Sequence, residues 1–378
     1  MKAMKIIIST VGTSLLTNQI QRGENTEKDW YSVIRDSANK NGNQIASSEK
    51  NVIDQLKIRA INKLTQNDYK EVRKLSAEIN GILGIYNNDF VIGKNDIHYL
   101  VATDTYQGKA SAEIVKEYLE QKNLNVQIYI PKSLSTASTE AYSEGIDSIL
   151  EWIDEQIEPS SSQYEIIFNL VGGFKSLQGY LNTIGMFYAD KMVYIFEGEN
   201  SELIIIPKLP IQMDSSIIKN HIGEFYLMNT GQFLYKNKLQ DIPESLLFSA
   251  EEECTLSNWG NLFWNKSKKE LIKDVGSIEL PHIQYEKEYL KDTKDLNIKE
   301  KDIVFSDLAK VSKLLIESNG DTSILKRDPG FQYDNYTNQK EPIGHFRISQ
   351  GIRISCTSKN KVLHLRRYGK EPDVNKNP

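Results

Sequence analysis

The sequence predicts a doubly wound α/β domain over residues 1–210, a helical connector over 211–280 and a small α+β domain over 281–378. Three observations predict it. Short apolar runs alternate with helical spacing as far as Pro207, helical stretches with clustered aromatics follow Ile211, and short apolar–basic alternation follows Pro281.

Taking the elements in order, Lys5 to Ser9 is a continuous apolar run of the kind buried on both faces of a parallel sheet, and it ends in Thr10-Val11-Gly12-Thr13-Ser14. Helical spacing from about Trp30 to Leu83 leads to a second strand, His98 to Ala102, which ends in Thr103-Asp104. A helix from about Gly108 to Lys122, a strand at Val126 to Ile130 and a helix at Ser138 to Ile157 continue the alternation. Tyr164 to Leu170 is a further buried strand, ending in Val171-Gly172-Gly173, and a helix from Lys175 to Ala189 follows it. Lys191 to Phe196 and Glu202 to Pro207 read as a closing hairpin around Glu199-Asn200. From Ile211 to Gly276 the reading is helical, with Trp259, Phe263 and Trp264 packing on the sheet domain or a dimer mate. After Pro281, His282 to Tyr289 alternates like a strand and Lys301 to Glu317 is an amphipathic helix ending at Asn319-Gly320. Gly344 to Ser349, Gly351 to Thr357 and Lys361 to Tyr368 then form an antiparallel sheet.

Composition narrows the function classes. With 39% hydrophobic and 26% charged residues in 378, global disorder and low-complexity architectures are excluded. Two cysteines, Cys254 and Cys356, without a CxxC or a His-rich partner segment, support neither a disulfide scaffold nor a Cys-type zinc site, and fit a reducing cytoplasm. No metal site is expected. Apolar runs such as Met192 to Phe196 fall far short of the roughly 20 residues a membrane span needs. The net charge of −5 is unevenly distributed, because Pro281 to Pro378 holds 18 Lys and Arg against 14 Asp and Glu, and the preceding residues 28 against 37. Nine of those cations (Lys340, Arg347, Arg353, Lys359, Lys361, Arg366, Arg367, Lys370 and Lys376) fall after Asn338, facing only Glu341, Glu371 and Asp373. Such a segment is either a polyanion surface or a solvated basic face.

In an open parallel sheet, ligands bind beyond the carboxyl ends of the strands, near the switch in strand order. Three strand ends carry suitable residues: Gly12, Thr13 and Ser14; Thr103, Asp104 and, across a Gln107-Gly108 turn, Ser111; and Gly172, Gly173, Phe174, Lys175 and Ser176. Small residues let backbone N–H groups approach a phosphate, and a helix starting at Lys175 adds its positive end and a point charge. Walker and GxGxxG patterns are absent, which disfavours ATP and NAD. Glycines at strand ends also serve simply to turn the chain.

The segments STVGTSLLTN (9–18) and NLVGGFKSLQGYL (169–181) resemble the two signature segments of CRISPR-associated Rossmann-fold (CARF) domains. The resemblance covers about residues 1–210 and implies a Rossmann-like fold and a homodimer that binds cyclic oligoadenylate across its two-fold axis. It carries over to Gly12, Thr13, Ser14, Gly172, Gly173, Phe174 and Lys175; Thr103 and Ser111 come from strand-end position alone. The GGFK form is closer to domains that bind cyclic tetra-adenylate, with cyclic hexa-adenylate the second candidate. Some relatives cleave the ring through its own 2′-hydroxyl, a role for which Ser14 and Lys175 are the candidates here.

Cleavage of RNA needs a base for the 2′-hydroxyl, positive charge at the phosphate and an acid for the leaving oxygen. Period-two geometry puts His345, Arg347 and Ser349 on one face of their strand, with Phe346 and Ile348 on the other. Arg353 follows on the next strand, and His364, Arg366 and Tyr368 share a face of the last, with Arg367 opposite beside Leu363 and Leu365. These groups suggest metal-independent cleavage. The stretches HIQYEKEYLKD, HFRISQGIRI and LHLRRYGKEPDVNKNP resemble the RelE family of ribosome-dependent mRNA interferases, over residues 281–378. That resemblance implies a RelE-like α+β domain in which His345, Arg347, Arg353, Arg366 and Arg367 act on A-site mRNA. The late tyrosine of the family has no counterpart in DVNKNP, and Tyr368 or Lys370 takes the remaining role.

Together these readings describe a cytoplasmic homodimer with no membrane anchor and no cofactor. Its sensor domain binds cyclic oligoadenylate as activator, and its effector domain cuts mRNA on the ribosome in antiviral defence. Two rivals are a free-standing ring nuclease and a ligand-controlled nucleic-acid-binding regulator; the tail lacks the helix-turn-helix pattern that a duplex reader would supply.

Overall fold

The computed structural model describes residues 4–21, 23–24, 27–196, 202–337 and 341–378. Two compact units divide the chain, Met1–Ile211 and Gln212–Pro378.

The first unit contains β1 (Met4–Thr10), α1 (Ser14–Thr17), α2 (Trp30–Asp36), α3 (Ser47–Gln66), α4 (Tyr69–Leu75), α5 (Ala77–Ile85), β2 (Ile97–Val101), α6 (Tyr106–Glu120) and β3 (Asn125–Tyr129). It continues with α7 (Thr139–Trp152), β4 (Tyr164–Asn169), α8 (Lys175–Tyr188), β5 (Lys191–Ile195) and β6 (Leu203–Pro207). Its sheet runs β3-β2-β1-β4-β5-β6, parallel except for β6, which pairs antiparallel with β5. Order reverses between β1 and β4, so the crevice lies where the chain leaves these two strands. Ile6, Ile7 and Ile8 are all buried, which is why β1 is apolar without alternation. The tip expected at Glu199-Asn200 lies outside the described residues, as does Lys340. Gln107 and Gly108 form no turn; both lie in the first turn of α6, whose cap is Thr105 Oγ1 accepting the Gly108 N–H at 3.0 Å. The helix expected to reach Ile157 changes to a π-turn after Trp152.

The second unit begins with α9 (Ile222–Asn229), β7 (Leu234–Tyr235), β8 (Leu247–Ala250), β9 (Glu253–Leu256) and α10 (Asn258–Leu271). It ends with β10 (Ile283–Tyr285), α11 (Lys287–Thr293), α12 (Ile298–Glu317), β11 (Asp334–Asn335), β12 (Gly344–Ser349), β13 (Ile352–Lys359), β14 (Val362–Lys370) and α13 (Glu371–Lys376). The region expected to be a separate helical connector differs in two ways. It contains a three-stranded sheet, β7-β9-β8, and its Phe225, Tyr226 and Trp264 share one continuous core with Phe305, Phe346 and Leu365. The aromatic stripe of α10 therefore packs inside its own unit: Trp264 lies 4.9 Å from Tyr226 and 5.7 Å from Phe225, centroid to centroid. The HIQYEKEY segment pairs for three residues only. Glu286 then adopts the extended N-cap position and α11 begins. Helix α12 starts at a capping box, Asn297 with Glu300, and ends at Asn319 and Gly320, both at positive φ. The main sheet runs β10-β14-β13-β12-β11, with β10 parallel to β14 and the other pairs antiparallel. Among the described residues no helix is long and apolar enough to cross a membrane.

Candidate functional site

At the switch between β1 and β4 the two following turns meet over a buried carboxyl group. Asn169, the last residue of β4, donates through Nδ2 to Ser9 Oγ and to the Glu78 carbonyl oxygen, both at 3.0 Å. Gly81 makes room for it, since a Cβ there would sit 2.0 Å from Asn169 Oδ1. The Gly172 carbonyl accepts from Thr10 Oγ1 at 2.5 Å and from Gln178 Nε2 at 2.9 Å, fixing the turn after β4 to the end of β1. Gly173 has φ +89° and lies so near Gly12 that a Cβ on Gly12 would be 3.0 Å from the Gly173 nitrogen. Glu78, 1% exposed, accepts the Gly12 N–H at 2.8 Å through Oε1 and the Ser76 hydroxyl at 2.8 Å through Oε2. Burial raises its pKa, against the hydrogen bonds from Gly12, Ser76 and Gly173 that favour the anion.

Above this junction is a cavity of about 370 Å³. Its floor and walls include Gly12, Thr13, Ser14, Thr103, Gly173 and Phe174 from the expected set. Asn39, Thr105 and Thr136 join them, with Thr136 Oγ1 donating to Asn39 Oδ1 at 2.8 Å and the hydroxyls of Thr103 and Thr105 2.9 Å apart. Gln107 Nε2 donates to the Ile34 carbonyl and to Ser37 Oγ at the end of α2, two residues before Asn39. Three expected residues stand elsewhere. Ser111 is fully buried inside α6, where helical periodicity turns it to the core, and its hydroxyl has no partner among the described residues. Gly172 is buried against Glu78, and Lys175 is exposed at the first position of α8, outside the lining. No side chain caps the start of α8, so its first N–H groups keep their donors and the positive helix end. The cavity thus combines hydroxyls, an amide and a helix start, a set suited to a phosphate-bearing, hydrogen-bonding ligand.

In the second unit the register lines up His345, Ser355 and Arg367 across three strands, with Arg347 and Arg353 beside them. The expected faces of β14 change at one point. Ser355 pairs with Arg367 but Cys356 pairs with Leu365, leaving Arg366 as an extra residue, and this bulge reverses the alternation beyond it. Arg367 therefore joins the polar row instead of opposing it. Tyr368 pairs with buried Ile354 and packs edge-on to Tyr289 at 6.4 Å, away from that row. Lys370, exposed at the strand end, is in register with Ile352 on the same side as Tyr368.

Residues 371–378 lie across this row. Glu371 pairs with Arg353 at 2.6 Å, and Asn375 Oδ1 accepts from Tyr336 Oη at 2.8 Å and from Arg353 at 3.5 Å. The Pro378 and Asn377 carbonyl oxygens accept from Arg366 and Arg367 at 3.3 and 3.4 Å. Asp292 accepts from Arg367 at 2.7 Å and from the Tyr368 N–H at 3.1 Å, and this carboxylate holds the Arg367 pKa above its usual value. The Tyr336 ring lies 4.5 Å from the His345 ring. Burial, then the Arg353 charge, lowers the His345 pKa and so favours the neutral imidazole. Glu78, Asn39, Tyr336, Asp292 and Asn375 were not marked by spacing in the sequence; the one available signal was the lone acid of AEINGILGI, an otherwise apolar and small segment. Among the described residues no group of three or more His, Cys, Asp or Glu could hold a metal ion.

Residues 73–209 match the model of a family described as CRISPR-associated protein (Cas_APE2256). The match runs from within α4 to just past β6 and includes Glu78, Thr103 and the Gly172 to Lys175 turn, which marks the chain as similar to CRISPR-associated proteins.

Proposed function

We propose that the chain is a sensor joined to an effector: cyclic oligoadenylate binds the first unit, and binding activates the second as a metal-independent, RelE-like endoribonuclease that cuts mRNA on the ribosome. The observation that carries this reading is the meeting of the Gly12–Ser14 and Gly173–Phe174 turns in one cavity at the β1/β4 switch, inside a unit similar to CRISPR-associated proteins. A cavity of about 370 Å³ is at the small end for a ligand pocket, which supports a cyclic tetra-adenylate shared between two copies of the chain. Cyclic hexa-adenylate is the alternative ring. On the effector side, the row His345, Arg347, Arg353 and Arg367 offers an imidazole whose neutral form is favoured, and cations, to a phosphodiester. The ligand activates only if it has greater affinity for the active arrangement than for the inactive one.

A second reading, a ring nuclease, is favoured by Ser14 lining the cavity; Lys175 stands outside the lining and counts against it. The deciding experiment is in-vitro translation of a reporter mRNA with the purified protein, with and without each ring, 5′ ends being mapped by primer extension. Wild type and the Arg353→Ala, Arg366→Ala double variant run side by side. Cuts within translated codons that need both a ring and the arginines are the expected result. Intact mRNA under every ligand overturns the interferase reading, and ring breakdown in the same tubes would then support the ring nuclease.

A further inference from the structure

We propose that Glu78 is the positioning residue of the nucleotide pocket: its buried carboxyl ties the turn after β1 to the turn after β4 and so sets the spacing of the groups that meet the ligand. This rests on the ligand reading above. Three observations carry it. First, both oxygens are engaged, Oε1 by the Gly12 N–H and Oε2 by the Ser76 hydroxyl, each at 2.8 Å, and Gly172 packs directly against the carboxyl. One side chain from α5 thus bonds a residue of the first ligand-facing turn and lies against a residue of the second. Second, the turns leave it no slack, since a Cβ on Gly172 would fall 2.2 Å from Oε1 and one on Gly12 would fall 3.0 Å from the Gly173 nitrogen. Gly172 is needed because the carboxyl is there, and Gly12 because the Gly173 backbone is. Third, Glu78 is itself held: Ser76 Oγ caps α5 by accepting the Ile79 N–H at 3.2 Å, and the Glu78 carbonyl takes the Asn169 amide.

The chemistry has a consequence for the ligand. Gly12 directs its N–H inward to the carboxyl, so that group does not serve a phosphate. Contact falls to the Thr13 and Ser14 hydroxyls and to the uncapped start of α8. Burial favours the neutral acid, and the hydrogen bonds need an acceptor for the Gly12 N–H and a polar atom facing the Ser76 hydroxyl, which can accept as well as donate. Glutamine supplies these; methionine, of similar size, supplies neither.

The test uses the full chain in three forms: wild type, Glu78→Gln and Glu78→Met. Titration calorimetry with cyclic tetra-adenylate and cyclic hexa-adenylate gives affinity. Hydrogen exchange of the ligand-free proteins, read at peptides covering 10–16 and 170–177, gives the state of the turns. Expected are affinity within about threefold of wild type for Gln and a loss of tenfold or more for Met, with faster exchange confined to those two peptides. Met exchanging and binding like wild type overturns the inference. So does Gln as impaired as Met, or faster exchange spread over the whole unit, which would mark a general packing role. If wild type binds neither ring the ligand reading falls, and the exchange comparison still decides whether Glu78 holds the turns.

Discussion

His98 makes stability of the first unit depend on pH in a direction the structure fixes. It is fully buried in β2, with Nε2 3.0 Å from Tyr86 Oη, and that hydroxyl donates its own proton to Asp96 Oδ2 at 2.8 Å. Nε2 must then carry the hydrogen and donate to the tyrosine oxygen, leaving Nδ1 as a bare acceptor with no partner among the described residues. Protonation would place a buried N–H there with nothing to receive it. Burial, and next the Lys5 ammonium, depress the pKa from 6.5 to about 3. With the folded value below the unfolded one, the unfolded chain binds more protons in between. Stability is whole above about pH 6.5 and lost as pH falls toward 3. Between pH 8 and pH 5 the loss from this group is about 2 kcal/mol. Glu78 acts with the opposite sign, because its raised pKa favours the folded state at the acid end, so the total slope is a sum. The difference between wild type and His98→Gln isolates the histidine. Urea unfolding at both pH values, followed by pulse-labelling hydrogen exchange at a common pH and read at β1 and β2 peptides, measures it. A slope difference near 2 kcal/mol is expected. Equal slopes, or a variant that loses more than wild type at pH 5, would refute the tautomer argument.

Four further outcomes are expected. Gly173→Ala forces a side chain to φ +89° with its Cβ 2.9 Å from Thr10 Cβ, and should destabilise the first unit by roughly 1–3 kcal/mol in urea; Gly179→Ala, in α8 with nothing within 4 Å, should stabilise it by roughly 0.5–1 kcal/mol. Arg367→Ala removes a partly buried ion pair worth about 1 kcal/mol, whereas Asp292→Ala also leaves the Tyr368 N–H without its acceptor and should cost more by urea unfolding.

What could be read from sequence was what a single physical rule determines. Strands β1 and β4 carry the unbroken apolar runs Ile6–Ile8 and Ile166–Phe168 because both faces are covered, and the turns that follow them collect small residues because two backbones converge there. Helix α12 announces itself through Asn297, Glu300 and the Asn319-Gly320 stop. The faces of β14 were misread because alternation counts residues, and one unpaired residue at Arg366 reverses the count without any sign in composition. Strands of two to four residues, as in β7, β8 and β9, are too short for a period to show. Glu78 escaped because its role depends on two turns about 66 and 95 residues away in the chain, roughly the separation of elements that only the sheet order brings together.

The segment that crosses the cationic row changes how salt enters any encounter with nucleic acid. Counted from sequence, each arginine is a charge that displaces a dissolved ion from a phosphate. In the folded unit Arg353 already holds Glu371, Arg367 holds Asp292, and Arg366 rests on the Pro378 oxygen. A phosphate arriving there exchanges places with groups of the protein itself, so part of the entropy ordinarily gained from freed ions is replaced by freed chain. The dependence of affinity on ionic strength then follows the smaller number of uncompensated cations, and the ordering of eight residues becomes a term of comparable standing to charge.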